Sequence, residues 1–366
     1  MEDKCPAEIS LRTKRLKTST ETEYGEISME MTLKERLLNA LEGKKVDKVP
    51  VCSVTQTGIV ELMDEVGAPW PEAHTNPEQM AKLAIANYEL SGLEAVRVPY
   101  CLTVLAEAMG CEVNMGTKNR QPSVTAHPYP KDLEGMEMPE NLLDKGRIRA
   151  VLDAIKIIRE RVGPDVPIIG GLEGPVTLAS DLASVKSFMK WSLKKPDMLR
   201  QVMDFATDAT IDYANSMVVA GADVISVADP VASPDLMSPE SFKNELQSRL
   251  QRFSSEVDSV TVLHICGSVG PILDYMADCG FEGLSVEEKV GSIKKAKEVL
   301  GDRARLVGNI SSPFVLLPGP IDKIKEESKK AIAEGVDVLA PGCGIAPMTP
   351  LSHIKAMVEA RNEYYA

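Results

Sequence analysis

Eight short apolar runs, each separated from the next by a helix-length segment, restrict this chain more than any other feature. They read VDKVPVCSV (46–54), EAVRVPY (94–100), VPIIGGLEG (166–174), ADVISVAD (222–229), SVTVLHIC (259–266), EGLSVEE (282–288), ARLVGNIS (304–311) and VDVLAPGCG (336–344). Between them lie stretches such as PEQMAKLAIANYELSG (77–92) and SVKSFMKWSLKKPDMLRQVMDFATDATIDYANSMVVAG (184–221), whose apolar residues recur at helical spacing. Strands alternating with helices are parallel, each covered by the helix that follows it. Eight such units predict an α/β fold, a (βα)8 TIM barrel, with N-terminal helical sequence at TLKERLLNAL (32–41). Residues 31–366 read as one barrel domain, with no internal repeat and no break in composition.

One unit is enlarged. About 65 residues separate the second and third runs, and CEVNMGTKNRQPSVTAHPYP (111–130) reads as a hairpin or lid over the barrel mouth. The first thirty residues are polar and lack the apolar stretch of a signal peptide. They read as a disordered extension, with Met31 a second possible start. No run reaches the length of a membrane span. Lys and Arg total 41 against 54 Asp and Glu, a formal charge of −13, which argues against nucleic-acid and anionic-membrane partners. Seven scattered cysteines suit a reduced, cytoplasmic protein better than a disulfide framework.

Reactive residues of a barrel gather at the C-terminal ends of its strands. Here those ends offer Glu173, Asp229, His264, Cys266, Glu287, Glu288, Asn309 and Cys343. His264 and Cys266, two residues apart, project from one side of an extended strand. Alone, such a pair is as easily two core residues. Cys343, between glycines at the eighth strand end, reaches the same axis from across the mouth. One imidazole and two thiolates suit zinc, and three protein ligands leave a position for substrate.

A His-x-Cys pair followed at long range by Gly-Cys-Gly, on a barrel opening with VPVCSVTQTG, resembles the uroporphyrinogen decarboxylase superfamily. Within it, SVTQTGIVELMD, GTKNRQPSV, LHICG, GLSVEEK and LAPGCGIAPMTP resemble the methylcobamide:coenzyme M methyltransferases of methanogenic archaea, over nearly all of 31–366. The methanol-pathway type is nearest and the methylamine-pathway type next. The decarboxylases carry an Arg-Gln-Ala-Gly-Arg-like segment after the first strand, where this chain has Thr55-Gln56-Thr57-Gly58-Ile59. A polycarboxylate would meet little positive charge there, so a decarboxylase-like lyase is the weaker alternative.

The resemblance implies transfer of a methyl group from a methyl-Co(III) corrinoid to the thiol of coenzyme M (2-mercaptoethanesulfonate), in methanogenesis from methanol. A free thiol with a pKa of about 8.5 is only partly ionised at neutral pH, whereas zinc deprotonates it. His264, Cys266 and Cys343 are the expected ligands. Glu287 is the expected fourth, yielding to substrate, with Glu288 or water as rivals. Asp229 and Asn309 could orient His264 or bind the ligand. Arg97, Arg120 and Gly-rich backbone amides are candidates for the sulfonate. His74, His127 and His353 read as surface or capping residues, and Cys279 lies away from the mouth. No Asp-x-His-x-x-Gly segment is present to ligate cobalt, so the corrinoid is expected on a partner protein in a transient complex.

Overall fold

Seven of the eight predicted runs pair as parallel strands in the computed structural model, which describes residues 30–366; the expected extension therefore falls, but for Glu30, outside the described residues. In chain order the strands are β1 (Val96–Val98), β2 (Glu112–Asn114), β3 (Ser123–Ala126), β4 (Ile168–Glu173), β5 (Val224–Ala228), β6 (Val260–His264), β7 (Gly283–Val286), β8 (Arg305–Ile310) and β9 (Val338–Pro341). The curled sheet runs β1-β4-β5-β6-β7-β8-β9, every neighbouring pair parallel. β2 and β3 form the antiparallel hairpin expected in the long insertion. Residues Met31–Ala366 form one compact unit, in which no helix is long and apolar enough to cross a membrane.

The first run, VDKVPVCSV, forms no strand longer than one bridge, Val51 with Leu339. Its backbone nevertheless closes the barrel. Leu339 N–H donates to Pro50 O at 2.9 Å, Cys52 N–H to Leu339 O at 3.1 Å, and Glu94 N–H to Val51 O at 2.8 Å. Pro50 has no N–H to extend the ladder. Val51 N–H donates instead to the Glu94 carboxylate at 3.1 Å. That carboxylate also receives Arg361 at 2.6 Å and Arg36 at 3.1 Å, all three side chains buried. One buried anion thus ties the helix Leu33–Leu41, the closing segment and the C-terminal helix Leu351–Tyr365 together, which offsets its desolvation.

Two layers of core follow from the topology. Inside the barrel, Cys52, Ile169, Val224, Val262, Val307 and Val338 pack against Leu37 and Leu41 of the N-terminal helix, which plugs the end opposite the mouth. Outside, the helices cover the sheet in a larger cluster. The long segment 184–221 divides into helices Val185–Lys194 and Pro196–Ala220, since Pro196 cannot continue the first.

Glu173 ends β4 fully buried, its Oε1 accepting from Leu105 N–H at 3.1 Å and Ala106 N–H at 3.0 Å. Burial pushes its carboxyl up to about 7, against the backbone hydrogen bonds. The folded chain therefore holds this proton over a pH range in which the unfolded chain has lost it, so stability falls as pH rises from about 4.5 to 7. The loss from this residue amounts to about 3 kcal/mol. Denaturant titration across that range is expected to show the slope in the wild type and a flatter profile in Glu173→Gln.

Candidate metal centre at the barrel mouth

His264 is the last residue of β6 and is buried. Parallel register sets it beside Ser285 of β7. Its Nδ1 lies 3.1 Å from Ser285 Oγ and 3.3 Å from Ser285 O. A carbonyl only accepts, so the Nδ1 proton points at Ser285 and the Nε2 lone pair faces the mouth. Cys266 Sγ lies 3.3 Å from that Nε2. The chain turns sharply after Cys266 at Gly267, whose φ is +87° and whose added Cβ would fall 2.4 Å from the Asp235 carboxylate. Cys343 follows β9 and brings its Sγ to 3.9 Å from Cys266 Sγ.

Glu287, just beyond β7, completes the group. One ligand atom from each of His264, Cys266, Glu287 and Cys343 lies within 4.8 Å of all the others. A tetrahedral zinc with bonds of about 2.3 Å to sulfur and 2.0 Å to nitrogen requires S···S near 3.8 Å and S···N near 3.5 Å. The observed 3.9 and 3.3 Å match that spacing. The donor set and its dimensions fit zinc. The thiols also polarise one another. A hydrogen bond from Cys266 holds Cys343 well below the ordinary thiol range. The same hydrogen bond, with burial, holds Cys266 well above it, because a second charge beside the first is costly.

The cluster opens into a cavity of about 240 Å³. Gln56, Arg97, Tyr100, Cys101 and Gln121 line it together with His264, Cys266 and Cys343. Arg97 is a buried cation; its Nη1 donates to Pro99 O, and its Nε has no partner among the described residues. Burial lowers the guanidinium to about 10, which leaves it charged at neutral pH. Gly171 makes the room, because a Cβ there would lie 2.1 Å from Arg97 Nη2.

Several expected residues have other places. Asp229 meets His264 through the backbone alone, its N–H donating to His264 O at 2.8 Å; its carboxylate is buried and accepts from Val176 N–H, Thr177 N–H and Thr177 Oγ1 at 3.1, 2.7 and 2.6 Å, capping helix Pro175–Ala183. Asn309 and Glu288 line a separate cavity of about 230 Å³ beside Lys323, Glu327 and Lys330, whose lining includes neither Cys266 nor Cys343. Arg120 is exposed at the hairpin turn, its backbone paired with Thr117, and the adjacent Gln121 lines the cavity instead. His74 is no surface residue: it is buried against Trp70 at 4.7 Å between ring centroids, and burial lowers it to about 3. His127 and His353 bond the carbonyls of Asp181 and Leu316. Cys279 is buried and donates to Tyr275 O. Ser285 was missed, although a serine in a buried strand run, directly before Val-Glu-Glu, is the kind of polar residue that needs a partner.

Known proteins place this architecture. The family model described as uroporphyrinogen decarboxylase (URO-D) matches residues 32–364. The chain is 77% identical over 337 residues to methylcobamide:CoM methyltransferase MtaA of Methanosarcina barkeri, covering 92% of this chain and 99% of that one. It is 39% identical over 339 residues to methylcobamide:CoM methyltransferase MtbA of Methanosarcina acetivorans, covering 92% and 99%. A solved methyltransferase from Methanosarcina mazei superposes with a TM-score of 0.91 at 77% identity, covering 92% of this chain and all of that one. The chain therefore belongs to the uroporphyrinogen decarboxylase family, within its methylcobamide:CoM methyltransferase branch.

Proposed function

We propose that this chain is a zinc-dependent methyltransferase that moves a methyl group from a methyl-Co(III) corrinoid protein to the thiol of coenzyme M, in methanogenesis from methanol, within the cytoplasm. The observation that carries this reading is the cluster of one imidazole, two thiols and a carboxylate, whose imidazole and thiols share the lining of a small cavity with a buried cation. The methanol assignment leans on 77% identity to MtaA against 39% to MtbA. Service to a methylamine corrinoid protein is the alternative.

His264, Cys266 and Cys343 would hold the zinc, with Glu287 in the position that substrate takes. When bound there, zinc lowers the pKa of a coordinated substrate thiol, so that its sulfur is presented as a thiolate nucleophile. Ser285 holds the imidazole in the tautomer that offers Nε2. Arg97 faces the sulfonate, its buried and unpartnered Nε supplying a charge-assisted hydrogen bond. That contact anchors the tail while the sulfur points to the mouth, which converts encounter into an oriented approach. A cavity of about 240 Å³ admits a small thiol and is far smaller than a corrinoid. The corrinoid therefore arrives on a partner protein that docks over the mouth. The neutral side chains of Thr55 and Ile59 leave no cationic cradle for a polycarboxylate in that loop.

Zinc analysis and zinc-edge X-ray absorption, with and without coenzyme M, test the reading. One zinc per chain is expected, gaining a third sulfur when the thiol is added, and Cys343→Ala should lose the metal. Unchanged ligands after thiol addition would overturn the mechanism. Ser285→Ala should weaken zinc binding about tenfold in chelator competition, the carbonyl of residue 285 remaining as a poorer acceptor. Arg97→Gln should raise KM for coenzyme M by tenfold or more and leave the neutral 2-mercaptoethanol nearly unaffected.

A further inference from the structure

Glu287 does not face the thiols alone. Its Oε2 also lies 3.3 Å from the Lys289 ammonium, with the carboxylate side chain 12% exposed and the lysine 47%. The backbone enforces this pairing. Val290 N–H donates to Glu287 O at 3.1 Å and Gly291 N–H to Glu288 O at 3.1 Å, closing a tight turn directly after β7. That turn sets residues 287 and 289 side by side at the rim. Glu287 therefore has two partners within reach, the metal position inside and a half-exposed ammonium outside.

We propose that Lys289 is the second anchor of Glu287, receiving its carboxylate when an incoming thiolate takes its place beside Cys266 and Cys343. The inference rests on the methyl-transfer reading above. Three anionic donors already converge when Cys266, Cys343 and Glu287 are ionised. A fourth would add repulsion between like charges without further attraction. Glu287 thus departs as substrate enters. The thiol's proton passes to solvent and Glu287 stays a carboxylate, so one anionic donor replaces another and the charge of the site is unchanged. A carboxylate leaving into a mostly buried rim is disfavoured unless a cation meets it, and Lys289 stands where it emerges. The lysine is a positioning residue; it touches neither substrate nor reacting atoms.

Because Lys289 competes with the metal position for one carboxylate, its removal should act in opposite directions on two affinities. In the zinc-loaded full-length chain, Lys289→Met should hold zinc about three- to fivefold more tightly in chelator competition without thiol. The same variant should bind 2-mercaptoethanesulfonate about three- to fivefold more weakly by calorimetry, as expected for a partly exposed ion pair. Lys289→Arg should restore both values. In a Glu287→Gln background, the Lys289→Met change should move neither, since the shared carboxylate is gone. A merely structural lysine would lower both affinities together or move neither, and either result overturns the proposal. If the wild type binds the thiol but the variants match it, only this inference fails. If the wild type binds no thiol, the methyl-transfer reading fails and takes this inference with it.

Discussion

Leu339 is bonded through both its N–H and its carbonyl to the segment Pro50–Cys52, and that short ladder is the constraint on which the mouth depends. A parallel sheet left open would keep β6 and β9 on diverging arms of a twisted surface. Closing it carries the end of β9 back across the axis, where Cys343 meets Cys266. The closing segment is too short and too proline-bound to pair as a full strand. The buried Glu94 carboxylate completes it by accepting from Val51 N–H while two arginines compensate its charge. A centre at the mouth is thus supported by an ion cluster built on the closing segment.

The electrostatics of the mouth pair a donor cluster with a cation. His264, Cys266, Cys343 and Glu287 supply the donors, and Arg97 supplies a fixed cation lining the same cavity as the thiols. A small molecule with a soft sulfur at one end and an anion at the other is complementary to both. The carboxylates that might have complicated this field are occupied elsewhere. Asp229 and Glu173 are buried on backbone N–H groups at the starts of helical turns. Preorganised donors and dipoles of this kind need little reordering when charge develops.

Much of this was legible from residues alone. The strand–helix alternation named the barrel, and the rule that chemistry sits at strand ends brought His264, Cys266, Glu287 and Cys343 forward together. The hairpin in the long insertion was legible from its composition. Failures came where one residue type has two uses. Asp229 and Asn309 occupy the right topological positions, but an acidic or amide side chain at a strand end can cap a helix or line an outer cleft as readily as face the mouth. Arg120 and Gln121 are neighbours, and nothing local says which of two adjacent loop residues turns inward. His74 stands among prolines, and only packing puts it in a three-ring cluster with Trp70 and Tyr100.

What the sequence determined by itself is therefore the class of fold and the types of donor at each strand end, because periodicity and turn chemistry are local. What only the tertiary structure decided is who meets whom. Cysteines 77 positions apart come within 3.9 Å because the barrel closes. Ser285 becomes the partner of His264 through parallel register, and Glu287 rather than Glu288 joins the thiols through the direction of one turn. Register, closure and the sense of a turn are set by the whole core packing at once, and no window of residues contains them.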